Sequence, residues 1–77
     1  MQVDILTPEG KVFSGEADSI MLPGLTGKFQ VLKNHAPLIA ALTTGTVVIK
    51  TNNQAQEFKI RSGICEVLSN HVSVLTE

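Results

Sequence analysis

A chain of 77 residues with six basic and seven acidic side chains, a net charge of −1 and one cysteine holds a single domain, and it buries only about 60% of its unfolded surface on folding. At 43% hydrophobic and 17% charged, it is neither a disordered tail nor a coiled coil, and the absence of any lysine or arginine run argues against a nucleic-acid footprint and a polybasic membrane anchor. One cysteine allows no internal disulfide and no multi-cysteine zinc site, so the chain reads as intracellular; it opens on Gln2 and Asp4 without a leader pattern, and its longest apolar run, Leu38 to Leu42, is far too short to span a bilayer.

Valine, isoleucine and threonine supply 21 of the 77 residues. Glycine and proline recur about every ten residues, which is the pattern of an all-β sandwich or barrel. The first strand puts Val3, Ile5 and Thr7 on one face and Gln2, Asp4 and Leu6 on the other. Pro8-Glu9-Gly10 turns the chain into Lys11 to Asp18, where Gly15 is expected to mark a bulge. Ser19 to Leu22 directs Ile20 and Leu22 inward. Pro23 to Gly27 reads as a tight loop tolerating positive φ at two points. Phe29 and Val31 then alternate with Lys28 and Gln30. After a turn at Lys33 to Pro37 come Leu38 to Leu42 and, past Thr44-Gly45, Thr46 to Thr51. Asn52-Asn53-Gln54 is a hairpin signal. Beyond it, Gln56, Phe58 and Ile60 alternate with Glu57, Lys59 and Arg61, so the Phe58/Ile60 face must be covered and the charged face wet. Ser62-Gly63 turns into Ile64 to Leu68, and Ser69-Asn70 into His71 to Leu75, with Val72 and Val74 inward. Nine short strands joined by tight turns imply antiparallel pairing, since a parallel crossover needs a dozen or more residues.

Residues that carry chemistry are sparse. Cys65 lies on a strand with no basic cluster beside it, and reads as a small buried hydrophobe. His71 follows a turn and reads as exposed and inert. His35, in Asn34-His35-Ala36-Pro37, has no flanking carboxylate or second histidine and is poor evidence for a metal. Gly24-Leu25-Thr26-Gly27 matches the GxxG string of KH domains, but strands flank it and no basic residue fills it. Three aromatics on separate strands make no base-stacking platform. Gly10-Lys11 lacks the spacing of a phosphate loop. The carboxylates Asp4, Glu9, Glu16, Asp18, Glu57, Glu66 and Glu77 read as solvated faces or turns. No catalytic residue, cofactor or metal is assigned.

Three segments, in order and spacing, resemble the N-terminal β domain of the ε subunit of F-type ATP synthases. They are Thr7-Pro8-Glu9 with Val12-Phe13-Ser14-Gly15-Glu16; Leu22-Pro23-Gly24 with Gly27 to Leu32 and His35-Ala36-Pro37-Leu38; and Thr44-Gly45 with Ser62-Gly63, Glu66-Val67, Asn70, Val72 and Val74-Leu75. The combination is specific and covers essentially the whole chain. Gln30, Asn34 and Ile64 depart from it, standing where the family often has glycine.

The resemblance implies a flattened antiparallel β-sandwich or barrel of about ten short strands, residues 1–77 forming one domain. It implies a non-catalytic central-stalk (rotor) subunit that couples proton-driven ring rotation to ATP synthesis in the catalytic head. The implied partners are the γ subunit and the membrane rotor ring, with no nucleic acid and no direct membrane insertion. The implied location is peripheral, on the cytoplasmic face of the bacterial inner membrane. The ring-facing loop maps onto Gly27, Lys28 and Phe29 with the neighbouring turn His35-Ala36-Pro37. The helical hairpin that follows in most relatives would begin where this chain stops, at Thr76-Glu77, so no C-terminal helical domain is expected here. The alternatives are a β-sandwich adaptor of another complex, although the Met-Lys-Met hairpin of biotinyl modules is missing, and a small enzyme built on Cys65 and His35.

Overall fold

The computed structural model describes every residue from Met1 to Glu77. Nine strands follow one another: β1 (Gln2–Thr7), β2 (Gly10–Glu16), β3 (Ser19–Gly24), β4 (Gly27–Leu32), β5 (Leu38–Leu42), β6 (Gly45–Thr51), β7 (Gln54–Ile60), β8 (Gly63–Leu68) and β9 (His71–Thr76). Each falls where alternation and turn chemistry place it, with ends moved by up to two residues. The count is nine rather than the ten that the resemblance implies. The longest gap between strands, residues 33–37, contains a left-handed Asn34 (φ 62) and Pro37, and it contributes no further strand.

The strands form one curled sheet in the order β2-β1-β9-β8-β5-β3-β6-β7, with β4 on the free side of β3. Between β5 and β3 the ladder thins to a single pair, Gly24↔Leu42, flanked by Leu25 N–H donating to the Ala41 carbonyl and Thr43 N–H to the Pro23 carbonyl, both at 2.9 Å. The sheet folds over at that corner, so β2-β1-β9-β8-β5 faces β4-β3-β6-β7 as a curled sandwich. The two far edges, β2 and β7, meet through Phe13 and Phe58, whose rings pack edge to face at 5.7 Å.

One pairing corrects the expectation of an all-antiparallel sheet: β1 and β9 run parallel, with Gln2↔His71, Asp4↔Ser73 and Leu6↔Leu75 in register. The crossover rule still holds, because nearly the entire chain serves as the connection. The bulge is also displaced. The β1–β2 register slips between Ile5 and Leu6, which pair with Phe13 and Lys11, leaving Val12 as the extra residue, while Gly15 pairs regularly with Val3. At the β3–β4 turn only Gly27 has positive φ (137°). Gly24 matters for space instead: a Cβ there would lie 2.5 Å from the Gly27 carbonyl oxygen and 2.9 Å from Phe29 Cδ1. The Asn52-Asn53 and Ser69-Asn70 turns hold both central residues at φ between 51° and 65°, the left-handed pair that matches the twist of flanking strands in two-residue hairpins.

Inside the curl, 15 buried residues make one core; Val3 and Ile5 of β1, Ile20 and Leu22 of β3, Val47 and Ile49 of β6, and Val72 and Val74 of β9 are at most 2% exposed. The inward assignments of Ile20, Leu22, Val31, Ile60, Val72 and Val74 agree with the alternation read from sequence. Phe58 is only half-buried, packing against the core at the β2–β7 edge rather than within it.

Candidate functional site

The β3–β4 hairpin and the segment after β4 build one continuous surface. The reversal at Leu25-Thr26 depends on Gly27 in its positive-φ conformation, and from there alternation turns Phe29 partly into the core and leaves Lys28 exposed. After β4 the chain doubles back. His35 N–H donates to the Leu32 carbonyl at 3.2 Å, and the left-handed Asn34 donates its N–H to Asn70 Oδ1 at 2.7 Å, tying this segment to the β8–β9 turn. These bonds bring His35 back beside the hairpin. Gly27, Lys28, Phe29 and His35 line a groove of about 390 Å³ floored by Leu38 and Ala40. His35, Ala36 and Pro37 line the adjoining depression with Leu68 and Asn70. All six residues picked out from sequence therefore share one surface, with His35 bordering both halves.

The polar groups of this surface are available to a partner. Lys28 takes part in none of the ion pairs of the molecule, whereas Lys33 is held by Asp18 at 3.3 Å. His35 Nδ1–H donates to the Ala36 carbonyl at 2.7 Å, which leaves Nε2 without a hydrogen-bond partner in the chain, an acceptor in the neutral ring. Pro37 disfavours the helical region for Ala36, so the chain does not coil back over His35.

Cys65 is fully buried between its register partners Ala40 and Val74, and burial pushes its thiol up to about 11. Neither histidine bonds to it: His35 is engaged with Ala36 and His71 with Asp4. A nucleophile needs a base within hydrogen-bond reach, so this arrangement gives the reading of an enzyme built on Cys65 and His35 no geometry. Native protein is expected to react with a thiol reagent at pH 7 only as fast as it opens, far more slowly than denatured protein. Labelling of folded protein at the denatured rate would contradict the burial.

Two features escaped the sequence reading. Asp4, expected on a wet face, is buried at 8% exposure, and His71 is not inert. His71 Nε2–H donates to Asp4 Oδ2 at 2.6 Å, Gln2 Nε2–H donates to Oδ1 at 3.4 Å, and Lys11 Nζ lies 3.6 Å from Oδ1. The Ser14 hydroxyl facing Asp4, the His71 hydrogen bond and the Lys11 charge together hold the carboxyl down at about 2. A carboxylate with a depressed folded pKa stabilises the fold above its unfolded value, and that contribution is lost as pH falls through the folded one. Asp18 adds in the same direction, lowered by the Asn52 N–H it accepts and then by Lys33. Thermal melts are expected to fall between about pH 4 and pH 2. The Asp4→Asn variant is expected to melt lower at neutral pH with a shallower acid limb, and an acid limb unchanged by this substitution would show that Asp4 carries none of it.

The second feature is an apolar row on the outer face of the five-stranded layer. Leu6, Leu75 and Ile64 stand side by side in register, and Ile39 lies diagonally beyond them. Leu75, Ile64 and Ile39 are 55%, 50% and 74% exposed. The signal was present in the alternation: β7 alternates Phe58 and Ile60 with charges, whereas β5, β8 and β9 put aliphatic residues at outward positions too.

Residues 1–77 match the family described as the ATP synthase, Delta/Epsilon chain, beta-sandwich domain. The chain is 47% identical over 76 residues to the ATP synthase epsilon chain of Chlorobaculum tepidum, covering 97% of this chain and 86% of that one. It is 44% identical over 77 residues to the epsilon chain of Chlorobium limicola, covering 88% of it, and 38% identical to an epsilon chain of Helicobacter pylori, of which it spans 63%. The fold is similar to a chain in the central stalk/c-ring structure of the Tetrahymena thermophila mitochondrial ATP synthase (TM-score 0.84, 16% identity, 99% of this chain, 62% of that one). It is also similar to a chain in the OSCP/F1/c-ring structure of the Euglena gracilis mitochondrial ATP synthase (TM-score 0.90, 17% identity, 96% of this chain, 48% of that one).

Proposed function

This chain belongs to the ATP synthase delta/epsilon-chain β-sandwich family, and from that premise we propose that it is a non-catalytic subunit of the central stalk, coupling rotation of the proton-driven ring to ATP synthesis in the head. It works as a peripheral subunit of the membrane-bound complex, on the cytoplasmic face of the bacterial membrane; no helix is long and apolar enough to cross a membrane. The mechanism is mechanical. A curled sheet closed by a 15-residue core resists shear, so force applied at one surface is delivered at another. Two surfaces without partners inside the molecule suit this task. The Lys28/His35 surface takes the polar loops of the membrane ring, and the apolar row takes the γ subunit.

The observation that carries this reading is the meeting of Gly27, Lys28, Phe29, His35, Ala36 and Pro37 on one open surface, in a chain matched to the family along its full 77 residues. Lys28→Glu combined with His35→Ala is expected to leave folding unchanged, because Lys28 is exposed and unpaired and the His35 ring bonds only to its neighbouring carbonyl. ATP-driven proton pumping by membrane vesicles carrying the double variant is expected to drop severalfold, while ATP hydrolysis by the head persists. Pumping at the wild-type level, with the variant subunit retained in the complex, would remove this surface from the ring interface.

A further inference from the structure

We infer that the outer edge of β4 is a docking edge for a short extended segment of a ring loop, which adds to the sheet as a further strand beside Lys28 and Gln30. The inference rests on the Lys28/His35 surface being the ring-facing one, and it names how a loop is held there. β4 pairs with β3 along its whole length and has no strand on its other side. In an antiparallel ladder, successive residues turn their N–H and C=O groups to one side and then to the other. Two bonds fix that phase. Pro23, opposite Lys28, sends its carbonyl away from β4 to Thr43 N–H at 2.9 Å, and as a proline it has no N–H to give. At the other end, the Leu32 carbonyl accepts from His35 N–H at 3.2 Å, on the side away from β3. Gly27, Phe29 and Val31 therefore bond to β3, and Lys28, Gln30 and Leu32 turn their backbone groups to the open side.

The turn through His35 covers only the Leu32 end of this edge. The N–H and C=O groups of Lys28 and Gln30 are left without a partner in the chain. A row of this kind is a template for another strand, and proteins usually blunt it with bulges or charges. The other two free edges of the sheet are blunted in that way. A bulge at Val12 breaks β2, and β7 carries Glu57 and Lys59 at the positions whose backbone groups face outward. β4 has a single charge there, Lys28 at its start, followed by the neutral Gln30.

The edge and the groove beside it select the occupant. Only an extended peptide repeats N–H and C=O groups at the spacing that Lys28 and Gln30 offer, so the ligand is a chain segment. The Thr26-Gly27 turn bounds the groove at one end and His35 at the other, which leaves length for about three to four extended residues. A side chain of that segment pointing inward rests on Phe29, Leu38 and Ala40, which suits a small apolar residue. One pointing outward stands beside Lys28, whose ammonium takes part in no ion pair of the molecule, which suits a carboxylate. Main-chain bonds supply the affinity, and these two positions supply the selectivity.

The test compares the full chain alone with the full chain bound to γ and the detergent-solubilised rotor ring. Amide hydrogen exchange at Lys28 and Gln30 is expected to be fast in the free chain and at least about tenfold slower in the complex. Phe29 and Val31, already bonded to β3, serve as the internal reference. Gln30→Pro removes the outward N–H and leaves the bonds to β3 in place, a position where an edge strand tolerates proline. Gln30→Ala removes the side chain and keeps the N–H. The proline variant is expected to bind the ring about three- to tenfold more weakly than the alanine variant, the size of one lost hydrogen bond. Thermal melts of both check folding, and exchange in the unmodified chain decides the matter if the proline variant does not fold. Equal ring affinity in two folded variants, or exchange at Lys28 and Gln30 that the ring does not slow, overturns strand addition. If Lys28→Glu/His35→Ala loses ring binding under that outcome, the surface docks through its side chains and the ring-facing reading stands. If that double variant binds the ring normally, the ring-facing reading fails, and strand addition to the ring fails with it.

Discussion

Replacing Leu22 with alanine is expected to bring the chain to the edge of unfolding. Leu22 has no solvent exposure, and it sits on β3, the strand that touches β4, β5 and β6 and carries the fold-over corner. Truncating a buried leucine costs about 2–5 kcal/mol, through lost transfer free energy and the cavity left where rigid neighbours do not close in. A domain of this size has roughly 4–12 kcal/mol in total, at about 0.05–0.15 kcal/mol per residue. The melting temperature should fall by at least about 10 °C. Phe58→Ala is the internal comparison. Its ring is larger but half-buried, at an edge where the surroundings can relax, so it is expected to cost less than Leu22→Ala. Thermal or urea denaturation of both variants checks the order, and a Leu22→Ala protein melting within a few degrees of wild type would place the centre of the core elsewhere.

The double variant Ile39→Glu/Ile64→Glu is expected to do the opposite: leave the fold standing and abolish the docking of the γ subunit proposed for the apolar row. Both side chains are at least half exposed, so new carboxylates remain hydrated in the free protein. In a complex the same two carboxylates would be stripped of water against an apolar surface, which costs several kcal/mol. Affinity for γ should fall by about 100-fold or more; 100-fold corresponds to about 2.8 kcal/mol, which lies within reach of two buried charges. Titration calorimetry with isolated γ, alongside a thermal melt of the variant, separates lost docking from lost folding. Wild-type affinity in a folded variant would show that γ uses another face.

The amino-acid sequence by itself determined the strands and much of the core. Turn residues with left-handed propensity, such as Asn52-Asn53, and strict alternation, as in Gln56 to Arg61, act over a few neighbouring residues and read directly from the string. The family was legible for a related reason: spaced Pro-Gly, His-Ala-Pro and Ser-Gly pieces sit at turns whose geometry tolerates little change. Which strands become neighbours was decided only in three dimensions. The parallel β1–β9 pair, the fold-over at Gly24 and Leu42, and the bulge at Val12 depend on how nine short strands close around one core. No local propensity encodes that closure. The Asp4–His71 contact spans 67 positions, so each side chain alone looked like an ordinary surface group. The apolar row likewise draws on β1, β9, β8 and β5, and it becomes a surface only because the curled sheet sets those strands side by side, leaving their outer aliphatic residues with no layer of this chain to cover them.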